Sequence, residues 1–558
     1  MDQEAYLELS KDGKTLIDCK EGYNGVVIIP KGVTKIEDDA FTHCTNLTTI
    51  KIPDSVVEIG EWAFFDCTSL KEIIVDEGNP NYCSKDGILY EKDMKTLIEV
   101  PMNITSIEVP NSITEIENWF YPGHHCLTSI KIHDRVTEIE VGAFSDCSNL
   151  KEIIVDEGNP FYCSKDGILY SKDMKTLIEV PRDKVSIEIP KNVTKIEGMS
   201  FNGCSNLSSI KIPDSVTEIG YYAFNLCKKL VSIEIPNGVT KIGHNAFSGC
   251  SSIYSIKIPK SVKEIGTRAF ASNTSLLEIL IDEENPNYCS RDGVLYSKDM
   301  QTLIAVPGGK DMITIPDSVT NIGQSAFEGC ICLTSIKIPN SVTAIPYGAF
   351  YGCTSLTSIE IPNSVTWIEE RAFSGCASLI SIKIPKGVPV IEWNVFSDCT
   401  SLKEIIVDEG NPDFCSKDGI LYTKDMKGLI VVPSTFASIE IPDSITVIWD
   451  GAFSDCTSLT SIKIPNGVIK IGNKAFSGCT FLTSIEIPDS VTSIFQDAFF
   501  DCTSLKEIHF KHKIPKDFYF EFWRPINSKF TLFVPKGSGD IYRNNDYYKE
   551  LKDCIQEE

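Results

Sequence analysis

The sequence predicts a solenoid of short stacked coils, each contributing a brief parallel strand, and not a row of separate globular domains. Three observations predict it. The phrase Pro-x-Ser-Val-Thr-x-Ile-Gly-x-x-Ala-Phe-x-x-Cys-x-x-Leu-Thr-Ser-Ile-x-Ile returns every 23 residues. An isoleucine stands twenty residues after the anchoring position in all fifteen such units, from Ile50 to Ile508. No single unit holds enough apolar surface to bury a core alone, so neighbouring coils must cover one another.

The anchors run from Pro30 to Pro488, with His133 in one proline slot. Most steps are 23 residues; four are 57, ending at Pro110, Pro190, Pro316 and Pro442, and each of these holds a short unit plus a 34-residue variant. Fifteen short and four long units fill residues 30–510, leaving 1–29 as an N-terminal cap with an abbreviated long unit and 511–558 as a C-terminal cap. Within a unit, alternation such as Ser209-Ile210-Lys211-Ile212 predicts a short strand with isoleucines inward. Proline then ends the strand, because it cannot donate to a ladder. A second apolar pair such as Val216 and Ile219 predicts the opposite wall, and Ala223-Phe224 a turned corner with stacked rings.

Cysteine stands fourteen residues after the anchor in thirteen units: Cys44, Cys67, Cys147, Cys204, Cys227, Cys250, Cys330, Cys353, Cys376, Cys399, Cys456, Cys479 and Cys502. His124 and Asn273 fill the other two slots. A repeat-locked cysteine three residues before a core leucine predicts a buried column of free structural thiols, small apolar fillers with a weak donor. Thiols stacked at strand spacing point the same way, which suits a disulfide poorly.

The combination Cys-x-x-Leu-x-x-Ile-x-Ile, the following proline, Val-x-x-Ile-Gly and Ala-Phe-x-x-Cys resembles the BspA-like class of leucine-rich repeats, over about residues 6–555. The resemblance implies a right-handed leucine-rich repeat solenoid with a parallel sheet on one face and short turns or helical corners between strands. It also implies bacterial surface or secreted proteins, some of which adhere to host matrix proteins or to other cells. The start, Met1-Asp2-Gln3-Glu4, lacks the basic-then-apolar pattern of a secretory signal and no surface-anchoring tail is visible, which leaves the route of export open.

The long variants share Gly-Asn-Pro-x-(Tyr/Phe)-Cys-Ser-Lys-Asp-Gly-Ile-Leu-Tyr in three copies, with a slightly altered copy at Ile281, and hold Cys83, Cys163, Cys289 and Cys415. Ile88-Leu89-Tyr90 and Leu97-Ile98 flank a polar turn, predicting a hairpin that projects from the coil. The acidic pairs Asp76-Glu77, Asp156-Glu157, Asp282-Glu283 and Asp408-Glu409 lack the Asp-x-Asp-x-Asp-Gly loop of a calcium site, so they read as solvated turns.

If the isoleucines point inward, the residues between them line an exposed sheet face. There Lys51, Lys131, Lys211, Glu234, Lys257, Lys337, Glu360, Lys383, Lys463 and Glu486 make a column in which opposite charges mostly alternate, flanked by serines. This reads as a charge ladder that fixes register and equally as a candidate protein-binding strip. Ile74, Ile154, Leu280 and Ile406 interrupt it as apolar spots for the hairpins to cover. Near the end, Phe518, Tyr519, Phe520, Phe522, Trp523, Phe530 and Phe533 crowd one segment before a helix expected from about Asp540 to Cys554. A cap over the last open coil explains them; Phe522 and Trp523 are also the candidates for a sugar-stacking platform.

Catalytic signatures are missing: no His-Glu-x-x-His, Gly-x-Ser-x-Gly, phosphate loop or zinc-type cysteine pair occurs. His124-His125-Cys126 with His133 is the one metal-like cluster, and it falls where the repeat breaks, so it reads as an irregular turn. Cys330-x-Cys332 is weaker still. With 52 Lys and Arg against 77 Asp and Glu, the net charge of −25 argues against nucleic acid and anionic membrane as partners. The resulting expectation is a non-enzymatic, cofactor-free and metal-free adhesion scaffold, extracellular or on a cell surface, that binds an extracellular or host matrix protein. A glycan-binding module and a spacer displaying another domain are the alternatives.

Overall fold

The computed structural model describes residues 6–20, 22–117, 125–392, 394–495, 497–514, 530–545 and 548–558. It divides into two compact units, Met1–Phe270 and Ala271–Glu558. Each is a β-solenoid of stacked coils with two parallel walls. In the first unit one wall carries Ser106–Glu108, Ser129–Ile132 and Glu152–Val155, paired in parallel with Ser106 opposite Ser129 and Ser129 opposite Glu152. Ile130 and Ile132 on this wall are fully buried, as the alternation requires. The other wall is built from two-residue strands, Lys195–Ile196, Glu218–Ile219, Lys241–Ile242 and Glu264–Ile265, again parallel and in step with the repeat. The second unit repeats both walls, for example with Ser335–Lys337 on Ser358–Glu360 and Lys470–Ile471 on Ser493–Ile494.

The corners between walls are turns. Two residues per corner take left-handed conformations, such as Tyr222 (φ 52°) with Leu226 (φ 58°) and Lys474 (φ 52°) with Gly478 (φ 73°). Their N–H groups therefore face the next coil: Tyr222 donates to the carbonyl of His244 and Leu226 to that of Ser248, both at 2.8 Å. Between them the Ala-Phe pair joins the coils, Phe224 N–H donating to the Ala246 carbonyl at 2.7 Å. Phenyl rings stack in columns with centroids 4.5–6.0 Å apart and nearly parallel planes, as in Phe201–Phe224–Phe247–Phe270 and Phe327–Phe350–Phe373–Phe396.

The long variants contain more strand than expected. Each is a three-stranded antiparallel meander, as in Tyr162–Lys165, Ile168–Ser171 and Thr176–Glu179. The first turn is Asp166-Gly167, with φ of 55° and 77°, the two-residue geometry that Asp-Gly favours. The third strand does not stand off the coil as a projecting hairpin would: Thr176 and Leu177 pair in parallel with Lys195 and Ile196 in the second wall. The same holds for Thr302–Ala305 and Gly428–Val431. A buried asparagine fixes each meander. Asn79 Nδ2 donates to the carbonyls of Pro53 and Val56 at 2.9 and 2.8 Å, while its Oδ1 accepts from the N–H groups of Asn81 and Tyr82. Asn159 and Asn411 repeat this arrangement. The neighbouring acidic residues cap turns, Asp76 Oδ1 accepting from Gly78 N–H at 2.9 Å.

At the C-terminus the expected helix is short and broken. Gly539–Arg543 is α-helical and Lys549–Cys554 a 3-10 turn, and the chain then forms a strand, Ile555–Glu557. That strand pairs with Thr531–Val534, which pairs with Glu507–Phe510, so two further strands follow the last repeat strand. Tyr542 and Tyr548 are fully buried against Phe510. At the helix end Asn544 Nδ2 donates to the Asp540 carbonyl at 2.8 Å, a side-chain bond that competes with continuation of the helix.

A buried ion pair, Arg182 Nη1 to Glu179 Oε1 at 2.8 Å, sits where the second long variant rejoins the core. Burial pushes the Glu179 carboxyl up and Arg182 pulls it back down. Glu99, its counterpart in the first variant, faces Met102 in sequence register instead of an arginine, and burial raises it to about 8.

Two predictions follow from this packing. Replacing Phe350, which has a ring on each side, by alanine should cost about 3–5 kcal/mol in urea unfolding. Phe396→Ala should cost less, because Phe396 stacks on one side only. Arg182→Met should cost about 3–5 kcal/mol at pH 8, since it leaves a buried carboxylate unpaired. A carboxyl whose folded value lies above its ordinary one destabilises the fold as pH rises between the two, so the loss should shrink towards pH 5. The pair Glu179→Leu/Arg182→Met, which removes both charges and keeps most of the buried volume, should recover much of the loss.

Candidate functional site

The sheet-face residues project outward as the alternation predicts. Lys51, Lys211, Glu234, Lys257, Lys337, Glu360, Lys383, Lys463 and Glu486 are exposed and Lys131 is half-exposed. The backbone sets the register, with Glu188 opposite Lys211 and Lys337 opposite Glu360. Side chains pair accordingly: Lys131 to Glu108 at 2.7 Å, Lys211 to Glu188 at 2.9 Å and Lys337 to Glu360 at 3.3 Å. Lys131 and Lys211 hold their glutamates below the usual carboxylate range through charge-assisted hydrogen bonds. The ladder is not uniform. Lys383 pairs with Asp408 of the following long variant at 3.1 Å, and Glu486 with Lys511 at 3.3 Å, since Asp408 and Lys511 each stand just past the end of the next strand, Glu404–Val407 and Glu507–Phe510.

Ile74, Ile154, Leu280 and Ile406 remain uncovered, at 38–41% exposure. The expectation that hairpins shield them is wrong, because the Asp-Gly turn of each meander bonds to the edge of the first-wall strand, as Ile73 N–H donates to the Gly87 carbonyl at 2.8 Å, and leaves the outward side chains exposed. A second charge pairing that the sequence reading missed lies on that second wall, where Lys35 meets Glu58 at 3.1 Å and Lys241 meets Glu218 at 3.6 Å. Its signal was the exchange of Thr-Lys-Ile for Thr-Glu-Ile between units.

None of the thirteen column cysteines is in a disulfide, and each is at most 1% exposed. They do more than fill space. In eight coils the Sγ–H points at the carbonyl oxygen of the corner phenylalanine one coil earlier, at 3.0–3.3 Å, as in Cys250 to Phe224 and Cys376 to Phe350. The corner phenylalanine thus donates forward through its N–H and accepts from the next coil's thiol. Burial pushes Cys399 and Cys502 up to about 12, far from the thiolate form.

The metal-like cluster is dispersed. His125 Nδ1 lies 2.9 Å from Ser148 Oγ, Cys126 faces Asn103, and buried His133 accepts from Arg135 N–H in the proline slot. His124, Phe522 and Trp523 lie outside the described residues, as do Phe518, Tyr519 and Phe520. Among the described residues no group of three His, Cys, Asp or Glu side chains is arranged to hold a metal. No helix there is long and apolar enough to cross a membrane.

Stacked 23-residue coils with a parallel wall and a repeat-locked cysteine define a leucine-rich repeat solenoid. The chain belongs to the BspA type leucine rich repeat family, whose profile matches residues 24–86, 100–171, 183–290, 310–417 and 433–529 in six copies. No curated protein matches it in sequence. Among solved structures it is similar to a leucine rich cell surface protein from Faecalibacterium prausnitzii, at 25% identity and a TM-score of 0.34 over 82% of this chain and 92% of the other. A leucine-rich repeat protein from Bacteroides ovatus gives 26% identity and 0.31 over 86% and 97%. The pneumococcal vaccine antigen PcpA gives 17% and 0.27 over 97% and 92%.

Thiol titration checks the column directly. The native protein should react quickly only through half-exposed cysteines such as Cys126, Cys332 and Cys554, and the denatured protein through all 21. A native titration that consumes the column thiols would disprove their burial.

Proposed function

We propose that the chain is a non-enzymatic scaffold that binds an extracellular protein, secreted or held on a cell surface, through the Ser-Lys-Glu face of its first wall. The observation that carries this reading is the face itself: repeated outward lysines and glutamates in fixed register. Parallel walls of this kind offer broad recognition surfaces. The excess of acidic residues over the whole chain favours a partner with basic patches, which speeds encounter and rejects like-charged competitors. The uncovered Ile74, Ile154, Leu280 and Ile406 add apolar contacts at intervals along the polar face.

Retention on immobilised matrix proteins and on host cells tests the reading. Charge reversal at Lys211, Lys257, Lys337 and Lys383 should abolish retention while shifting the melting temperature little, since exposed ion pairs add little stability. Failure of the unmodified protein to be retained by any matrix protein would overturn the adhesion reading.

A further inference from the structure

The turn between the second and third strands of a meander lies beside the second wall of the coil that follows. In the fourth long variant the N–H groups of Thr446 and Val447 on that wall donate to the Lys427 carbonyl of the turn at 2.8 and 3.1 Å. In the second variant the outward pair at this place on the wall closes on itself as an ion pair, Lys195 to Glu197 at 2.9 Å. The corresponding residues of the fourth are Val447 and Trp449. The Trp449 side chain is not covered: the residue is 46% exposed, and with the turn it bounds an open groove of about 390 Å³.

Two more departures from the other copies line the same groove. Gly428 stands where the others carry Thr96, Thr176 and Thr302, and a Cβ there would collide with the indole nitrogen, so the glycine is what lets the indole lie against the third strand. Asp413 stands where the first and third carry Asn81 and Asn287. Asn81 is tied down, its Nδ2 donating to the Val57 carbonyl at 2.8 Å, whereas a carboxylate has no donor for such a bond and Asp413 is exposed. Coil stacking demands none of Asp413, Gly428, Val447 and Trp449, because the other copies stack without them.

The chemistry of the lining selects a ligand. Asp425 is already used: its Oδ1 accepts from Thr423 Oγ1 and from Lys427 N–H, the turn cap that Asp173 and Asp299 also make. The groups left to a ligand are the Asp413 carboxylate, which only accepts hydrogen bonds, and the exposed Lys424 and Lys427 ammonium groups, which only donate them. A cation or an anion would meet a like charge there. A neutral ring with adjacent hydroxyls satisfies both kinds of group, because each hydroxyl donates and accepts. We propose that this groove binds a neutral sugar, the C–H face of one pyranose ring against the Trp449 indole and its hydroxyls shared between Asp413 and the two lysines. Tryptophan supplies a large, rigid apolar surface at low conformational cost. The groove volume falls within the range of about 300–1,000 Å³ common for ligand sites. This site is separate from the sheet face and does not depend on the adhesion reading.

An array of neutral, sialylated and sulfated oligosaccharides, probed with the full chain, tests it, followed by calorimetric titration with the strongest neutral hit. Neutral glycans should be bound in preference to the anionic ones, and the hit should occupy one site with a Kd below about 1 mM. Trp449→Glu, Gly428→Thr and Asp413→Asn should each weaken it by about tenfold or more. All three install residues that other copies carry at the same places, Glu117 and Glu197, Thr96, Thr176 and Thr302, and Asn81 and Asn287, so the stack should hold and the melting temperature should stay near that of the parent. Trp523→Ala, at the C-terminal aromatic segment, should bind like the parent. Absence of saturable binding of any neutral glycan, preference for anionic glycans, parent-like binding by folded Trp449→Glu, or loss of binding in Trp523→Ala would overturn the proposal.

Discussion

The constraint on which everything else rests is that each coil must satisfy its polar and apolar groups on a copy of itself 23 residues away. An isolated coil has a strand of three or four residues, a second strand of two, and a corner whose N–H groups leave the coil. None of these is stable alone. Stacking resolves all three at once, because the same translation pairs the strands, stacks the phenyl rings and brings each thiol to a carbonyl. The corner phenylalanine is where these demands meet: its ring, its N–H and its carbonyl each bind a different neighbour.

This coupling explains why cysteine, and not alanine or serine, holds its position in the repeat. The site needs a small, largely apolar group with a weak donor that can point at a backbone carbonyl inside a dry core. Alanine has no donor, and a serine hydroxyl carries a larger desolvation cost. It also explains the tolerance of left-handed backbone at Tyr222, Leu226 and Lys474, where a side chain costs more than glycine. The strain is held because each of these residues lies in a ladder fixed from outside by its neighbours.

The long variants show what the repeat does when interrupted. A meander is inserted, a buried asparagine locks the entry, and in the last three copies the third strand returns to the second wall. The copies then differ where the meander meets the following coil, with an ion pair of Lys195 and Glu197 in the second and Val447 with Trp449 in the fourth. Variation among copies is thus concentrated where stacking is interrupted, which is where a repeat scaffold can acquire chemistry of its own.

Period, wall alternation, the cysteine column and the outward direction of Lys211 or Lys337 were legible from spacing alone, because a repeated coil gives each residue type one environment many times over. The Asp-Gly turn of the meanders was legible too, though it went unread beside the more obvious polar turn after Tyr90. Other features depended on distant parts of the chain meeting. Whether a meander covers Ile154 or joins the second wall, and whether Lys383 finds Glu360 or Asp408, are decided by side chains that the repeat does not align. The sequence by itself determined the period, the core and the exposed face, since these follow from local alternation and identity between units. Only the tertiary structure decided the hydrogen bonds from thiol to phenylalanine and the groove at Trp449, because both depend on how one coil sits against the backbone of the coil before it.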